Sequence, residues 1–148
     1  MGADIEITRC AFEGNNATSA GGGLYITLSG LNNSHTITIR ECNFTDNSAY
    51  IGAGMVTFYN PITKLESLSS ELELAVNRVT IENCIFVGNS GRFGGALSNI
   101  QLGNLNALNI TNSTFVENKG SLGAALYLQY FFTTFSFEPE RKIVIEDW

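Results

Sequence analysis

A right-handed parallel β-helix, all-β, with about four coils and a partial fifth, is the fold this sequence predicts. Three observations lead there. Two short blocks recur in the same order four times along 148 residues. Apolar residues within the first block alternate with polar ones, which is the period of a strand. The spacing between copies varies, and all of the variation falls after the second block. That is the behaviour of a solenoid with constant walls and one loop of changing length.

The first block opens with paired aliphatic residues: Ile5 and Ile7, Ile37 and Ile39, Val79 and Ile81, Leu108 and Ile110. Ile143 and Ile145 begin a fifth copy. Three residues after the second aliphatic residue comes Cys10, Cys42, Cys84 or Ser113, and two further on comes Phe12, Phe44, Phe86 or Phe115. The odd step slips the phase of the alternation, so the chain must bend there to keep both apolar sets inward. Stacked copies then make a Phe ladder, and truncating one buried Phe should cost about 3–5 kcal/mol. Asn15, Asn47, Asn89 and Asn118 follow at a turn. They are expected to take the left-handed backbone that Asn tolerates and to hydrogen-bond amide to amide along the axis.

The second block reads Gly21-Gly22-Gly23-Leu24, Gly52-Ala53-Gly54-Met55, Gly94-Gly95-Ala96-Leu97 and Gly123-Ala124-Ala125-Leu126. Small residues are expected where a tight corner would make side chains collide. Leu24, Ile26 and Leu28 then continue inward. Phe-to-Phe spacings are 32, 42 and 29 residues. The long middle interval assigns an inserted loop to residues 57–78. Leu65, Leu68, Leu72 and Val76 stand near helical spacing there, while residues 72–76 equally suit a strand. Outward positions pair by charge: Arg9 should stack beside Glu41, and Arg40 beside Glu82.

Composition excludes several classes. The hydrophobic fraction of 44% is too high for a disordered chain. No stretch is apolar for long enough to predict a transmembrane segment. A net charge of −6 argues against nucleic acid as a partner. Three cysteines cannot close a disulfide framework. In-register side chains point the same way, so free thiols are expected over a bridge. His35, the one histidine, neighbours no cysteine, so no metal site is expected. No cofactor is predicted: the glycine blocks lack the Gly-Lys-Ser/Thr of a phosphate loop.

No catalytic residues are assigned. Glu82 and Glu41 are accounted for by their arginines. Asp46 and Glu117 share a turn column, but Gly88 lies between them. Their backbones should then stand about 10 Å apart, too wide for a retaining pair of carboxylates. Asn-x-Ser/Thr sequons begin at Asn16, Asn32, Asn43, Asn109 and Asn112. They are acceptors only if the chain meets a glycosylating secretory pathway. The segment over residues 130–137 is strongly aromatic, and two readings stand: a strand and turn covering the last coil, or an exposed face for a partner or sugar. The N-terminus has neither the basic region nor the apolar core of a signal peptide.

The blocks Phe-x-x-Asn and Gly-Gly-Ala-Leu resemble the paired repeats of the chlamydial polymorphic outer-membrane proteins, whose β-helix is pectin-lyase-like. Phe12/Asn15, Phe44/Asn47, Phe86/Asn89 and Phe115/Asn118 carry the first motif, and residues 94–97 carry the second in full. The resemblance implies an extracellular or cell-surface protein, non-catalytic and used in adhesion or recognition, with glycans or cell-surface proteins as partners. A fragment of a polysaccharide lyase or glycoside hydrolase is the alternative. Residues 1–148 read as a single array and, because the last copy is incomplete, as part of a longer one. Open strand edges predict aggregation when the chain is expressed alone.

Overall fold

The computed structural model describes residues 2–29, 34–60, 77–102, 106–131 and 142–146. In chain order the strands are β1 (Asp4–Thr8), β2 (Ala11–Glu13), β3 (Leu24–Ser29), β4 (Thr36–Arg40), β5 (Asn43–Thr45), β6 (Ser48–Ile51), β7 (Met55–Asn60), β8 (Asn77–Glu82), β9 (Ile85–Val87), β10 (Ser90–Phe93), β11 (Leu97–Leu102), β12 (Asn106–Thr111), β13 (Thr114–Val116), β14 (Lys119–Leu122), β15 (Leu126–Phe131) and β16 (Lys142–Glu146). Every pairing among them is parallel and joins one repeat to the next. Four stacks result: β1-β4-β8-β12-β16, β2-β5-β9-β13, β6-β10-β14 and β3-β7-β11-β15. The chain is a parallel β-helix.

Register follows the repeat. Ile5, Ile37, Val79, Leu108 and Ile143 form one column, and Ile7, Ile39, Ile81, Ile110 and Ile145 another. A one-residue slip would turn both columns outward, which is why an alternating wall specifies its register strongly. Ile37, Ile39, Ile81 and Leu108 are essentially inaccessible to solvent, as are Phe44, Phe86, Met55 and Leu97 from the other walls. Together they make one continuous core.

Three corners of each repeat are single residues in the left-handed region. The first precedes the cysteine column: Arg9, Glu41, Asn83 and Asn112, with φ between 45° and 54°. The second precedes the asparagine column: Gly14, Asp46, Gly88 and Glu117. The third is the first glycine of each block: Gly21, Gly52, Gly94 and Gly123. The bend predicted before the cysteines is therefore one left-handed residue. The left-handedness expected of the asparagines is corrected by one position, to the residue before each. Side chains other than glycine are strained there, by about 1–2 kcal/mol. The strain persists because backbone bonds to the next repeat pin these residues: Arg9 N–H to Arg40 O and Glu41 N–H to Glu82 O, both 3.0 Å.

The glycine corner does not interrupt the ladder. The amides of Gly52, Ala53, Gly54 and Met55 donate in turn to the carbonyls of Phe93, Gly94, Gly95 and Ala96. A Cβ on Gly54 would lie 2.5 Å from the Ala96 carbonyl oxygen, so close stacking of backbone on backbone demands the missing side chain here.

The fourth side carries the connections from the β3 stack to the β1 stack. The insertion expected over 57–78 is narrower than that. Residues 57–60 belong to β7 and residues 77–78 to β8, since the strands of the β3 stack all run six residues and those of the β1 stack five or six. The helix or strand considered at residues 65–76 lies outside the described residues, as does residues 132–137 of the aromatic segment; its first two residues end β15.

Candidate functional site: ladders inside, an aromatic–arginine face outside

At three inner columns a side chain of one repeat accepts the backbone N–H of the preceding repeat. Asn47 is the fullest case. Its Oδ1 accepts from the N–H and from Nδ2 of Asn15, both at 3.0 Å. Its Nδ2 donates to the Phe12 carbonyl at 2.8 Å and to Asn89 Oδ1 at 3.0 Å. Asn89 repeats the pattern with Asn118 and the Phe44 carbonyl. A side-chain amide has two donors and two lone pairs, so both asparagines are fully satisfied while buried. No other side chain of that size supplies both halves. The Phe12, Phe44, Phe86 and Phe115 rings stack beside them, with centroids 4.6–4.8 Å apart and planes within 7°.

The cysteine column does the same more weakly. The Cys10 N–H donates to Cys42 Sγ at 3.4 Å, Cys42 N–H to Cys84 Sγ at 3.5 Å, and Cys84 N–H to Ser113 Oγ at 3.1 Å. All three thiols are free. Burial pushes the Cys42 thiol up and the Cys84 thiol up to about 11, which leaves both protonated and inert at neutral pH.

A third ladder had no prediction behind it. Ala3 N–H donates to His35 Nδ1, and His35 N–H donates to Asn77 Oδ1, both at 3.0 Å. Both side chains are buried. The unlike residue types, His and Asn, hid this column from a search for identities. Its offset, two residues before the first inward aliphatic residue of each β1-type strand (His35 before Ile37, Asn77 before Val79), was the available signal.

On the outer face of the β1 stack the predicted charge pairs form. Arg40 Nε lies 3.0 Å from Glu82 Oε2, Arg40 Nη1 lies 3.7 Å from Glu6 Oε1, and Arg9 Nε lies 4.0 Å from Glu41 Oε2. These groups are substantially exposed, so each pair contributes at most about 1 kcal/mol. They engage Glu6, Glu41 and Glu82. Among the sequon residues Asn16, Asn43 and Asn112 are exposed and Asn109 is half-buried, while Asn32 lies outside the described residues. Asn112 Nδ2 donates to Asn83 Oδ1 on the repeat before it. No cluster of three metal-ligating side chains occurs among the described residues.

The surface with binding chemistry lies elsewhere, across the glycine corner. Tyr50 on β6 is about half exposed, at 46%. Phe93, on β10, meets it edge-on at 5.4 Å and meets Tyr127 of β15 at 5.2 Å. The three rings thus step from one repeat to the next. The Arg92 guanidinium sits 5.5 Å from the centroids of both Tyr50 and Phe93. Its Nη1 donates to the Tyr50 hydroxyl at 3.0 Å. Leu122, 52% exposed, pairs with Phe93 in register and extends the apolar area. A guanidinium held on aromatic faces is a preorganised donor for carboxylate or sulfate, and exposed ring faces suit the apolar face of a sugar. The strongly aromatic stretch at 130–137 had drawn attention in the sequence. The aromatic cluster seen here comes from three separated strands, and only the fold brings it together.

Residues 9–27 match the family model of the Chlamydia polymorphic membrane protein (Chlamydia_PMP) repeat. The matched stretch runs through Phe12, Asn15 and the glycine block of the first repeat, the same elements that build two of its corners. No curated protein and no solved structure matched the chain. The first repeat is thus similar in sequence to a repeat of the chlamydial membrane proteins. No helix among the described residues is long and apolar enough to cross a membrane.

Proposed function

We propose that this β-helix is a non-catalytic recognition segment of a cell-surface protein, and that it acts in adhesion by binding glycans through the Tyr50–Arg92–Phe93–Tyr127 face. The observation that carries the reading is the pairing of an exposed, anchored guanidinium with a run of rings that crosses successive repeats. The likeness to the chlamydial surface repeats supports the setting. Arg92 favours glycans that carry a carboxylate or sulfate over neutral ones. The rings supply area, and a parallel β-helix repeats its surface along one axis, which suits an extended chain.

A glycan array probed with the full chain and with Arg92→Ala tests this. Arg92 is exposed, so the variant should keep its fold. Acidic glycans should bind the parent, and the variant should lose at least tenfold in affinity. A parallel reducing-sugar assay should stay flat. Binding unchanged by Arg92→Ala would remove the site, and product release from any uronan would replace the reading with a lyase or hydrolase.

A further inference from the structure

The described residues contain six buried side-chain polar atoms with no hydrogen-bond partner in the protein. Four of them belong to three residues, Thr57, Asn77 and Asn99, which line one cavity on the side where the repeats are joined by their variable connections. We propose that this cavity is an internal hydration site, holding an ordered water molecule bound by Thr57 Oγ1, the Asn99 amide and Asn77 Nδ2.

The register places the polar groups together. Ile26, Thr57, Asn99 and Leu128 form one column of the β3-β7-β11-β15 stack. The two inner members are polar and the two outer members apolar. The polar pair is therefore confined between aliphatic layers, with Leu28 and Val79 as further walls. Thr57 is 4% exposed, Asn77 2% and Asn99 1%, so bulk solvent does not satisfy them. Asn99 has neither Oδ1 nor Nδ2 paired. That is the reverse of Asn47 and Asn89, which use all four of their bonds.

The ligand follows from size and chemistry. The cavity spans about 220 Å³ with its open mouth included, and its enclosed part has room for about one water. An apolar cavity stays dry, but a polar one with two to four partners holds water. Water donates twice and accepts twice. It can donate to Thr57 Oγ1 and accept from Asn77 Nδ2 while bonding one end of the Asn99 amide. No carboxylate lines the cavity among the described residues, so a metal cation has no counter-charge there. Asn77 is already held by the His35 N–H through Oδ1. Its side-chain amide also interacts with the Tyr59 hydroxyl and partly offsets the burial of that phenol.

Oxygen-17 magnetic relaxation dispersion on the full chain counts long-lived internal waters. The parent should show at least one more such water than the Thr57→Val/Asn99→Leu double variant, which removes three of the four polar atoms and keeps similar volume. An equal count in the two overturns the proposal. Should the double variant fail to fold, Thr57→Val alone should shorten the residence time of that water at least tenfold, and an unchanged dispersion would overturn the site equally. A crystal structure gives the independent reading. Density within hydrogen-bond distance of Thr57, Asn77 and Asn99 supports the site, and direct bonding of Thr57 Oγ1 and both ends of the Asn99 amide to protein groups removes it.

Discussion

Asn89, in the turn before β10, and Asn99, on β11, are the same residue type in one repeat, and both are sealed from solvent. Asn89 directly follows the left-handed Gly88 and has both polar side-chain atoms paired with adjacent repeats. Asn99 sits on the wall that leads to the variable connections and has neither polar side-chain atom paired in the protein. The difference teaches how the coil is built. On the arc from the β1-type strands through the glycine block, spacing is almost constant, so identical residues stack and satisfy each other. Beyond the glycine block the chain length changes from copy to copy. Columns there mix Ile, Thr, Asn and Leu, and mutual pairing fails.

The sharpest way to break this comparison is to change length on each side. One glycine inserted after Gly88 shifts everything from Asn89 to the next connection by one position. Asn89 leaves its column, and the inward residues of β11 turn outward. The expected loss exceeds the whole stability of an ordinary domain, about 5–15 kcal/mol, and circular dichroism should show no cooperative melt. Four Gly/Ser residues added within residues 61–76 should cost only a few tenths of a kcal/mol, because closure entropy grows with the logarithm of length. A cooperative melt in the first variant would show that the arc does not set the register.

Removing a single ladder rung comes next. Phe86 is fully buried and stacked on both sides, at 4.6 Å from Phe44 and 4.8 Å from Phe115. Phe86→Ala should lower unfolding free energy by about 3–5 kcal/mol in denaturant titration. Phe12→Ala should cost clearly less, since Phe12 is only partly buried and stacks on one described ring.

The two asparagines then give a direct contrast. Asn89→Leu removes four hydrogen bonds and strands the Asn47 N–H and the Phe44 carbonyl, for about 3 kcal/mol. Asn99→Leu deletes two unpaired atoms and should stay within about 1 kcal/mol of the parent, of either sign. Equal losses at the two positions would mean that pairing within the protein is not what separates them.

Much of the arc could be read in the sequence because it is written as identities. Ile5, Ile37 and Val79 align, Phe aligns with Phe, and the alternation reports which side is inward. The charge pairs of Arg40 and Arg9 also followed from column order. What escaped did so for physical reasons. Left-handed corners are set by ladder bonds to the next repeat, and Arg9, Glu41 and Glu117 carry no local preference that announces them. Gly14 and Gly88, alternating with Asp46 and Glu117, were the only trace, and they pointed one residue ahead of the asparagines. Tyr50, Phe93 and Tyr127 share no column, so no repeat comparison gathers them. The His35–Asn77 ladder uses a function, acceptance of an N–H, that two unlike side chains perform.

Alkaline unfolding weighs the two sides by their titrating groups. Cys84, at a corner, is raised by burial from an ordinary 9.0 to about 11. Tyr59, on the loop side, is also raised by burial, with the Asn77 amide opposing in part. For a thiol raised in the folded state, both folded and unfolded chains hold the proton below pH 9, and the full stability is present. Between pH 9 and about 11 the unfolded chain ionises first, so it binds fewer protons than the native state and stability falls as pH rises. Two units correspond to about 2–3 kcal/mol lost by the time pH passes 11. Cys84→Ser should flatten that part of the profile, and it should fold, because Ser113 already fills the same column and accepts the same kind of N–H at 3.1 Å. The slope that survives in Cys84→Ser belongs to Cys42 and to Tyr59, and adding Tyr59→Phe separates them. A profile that Cys84→Ser leaves unchanged would move the alkaline sensitivity from the corner to the loop side.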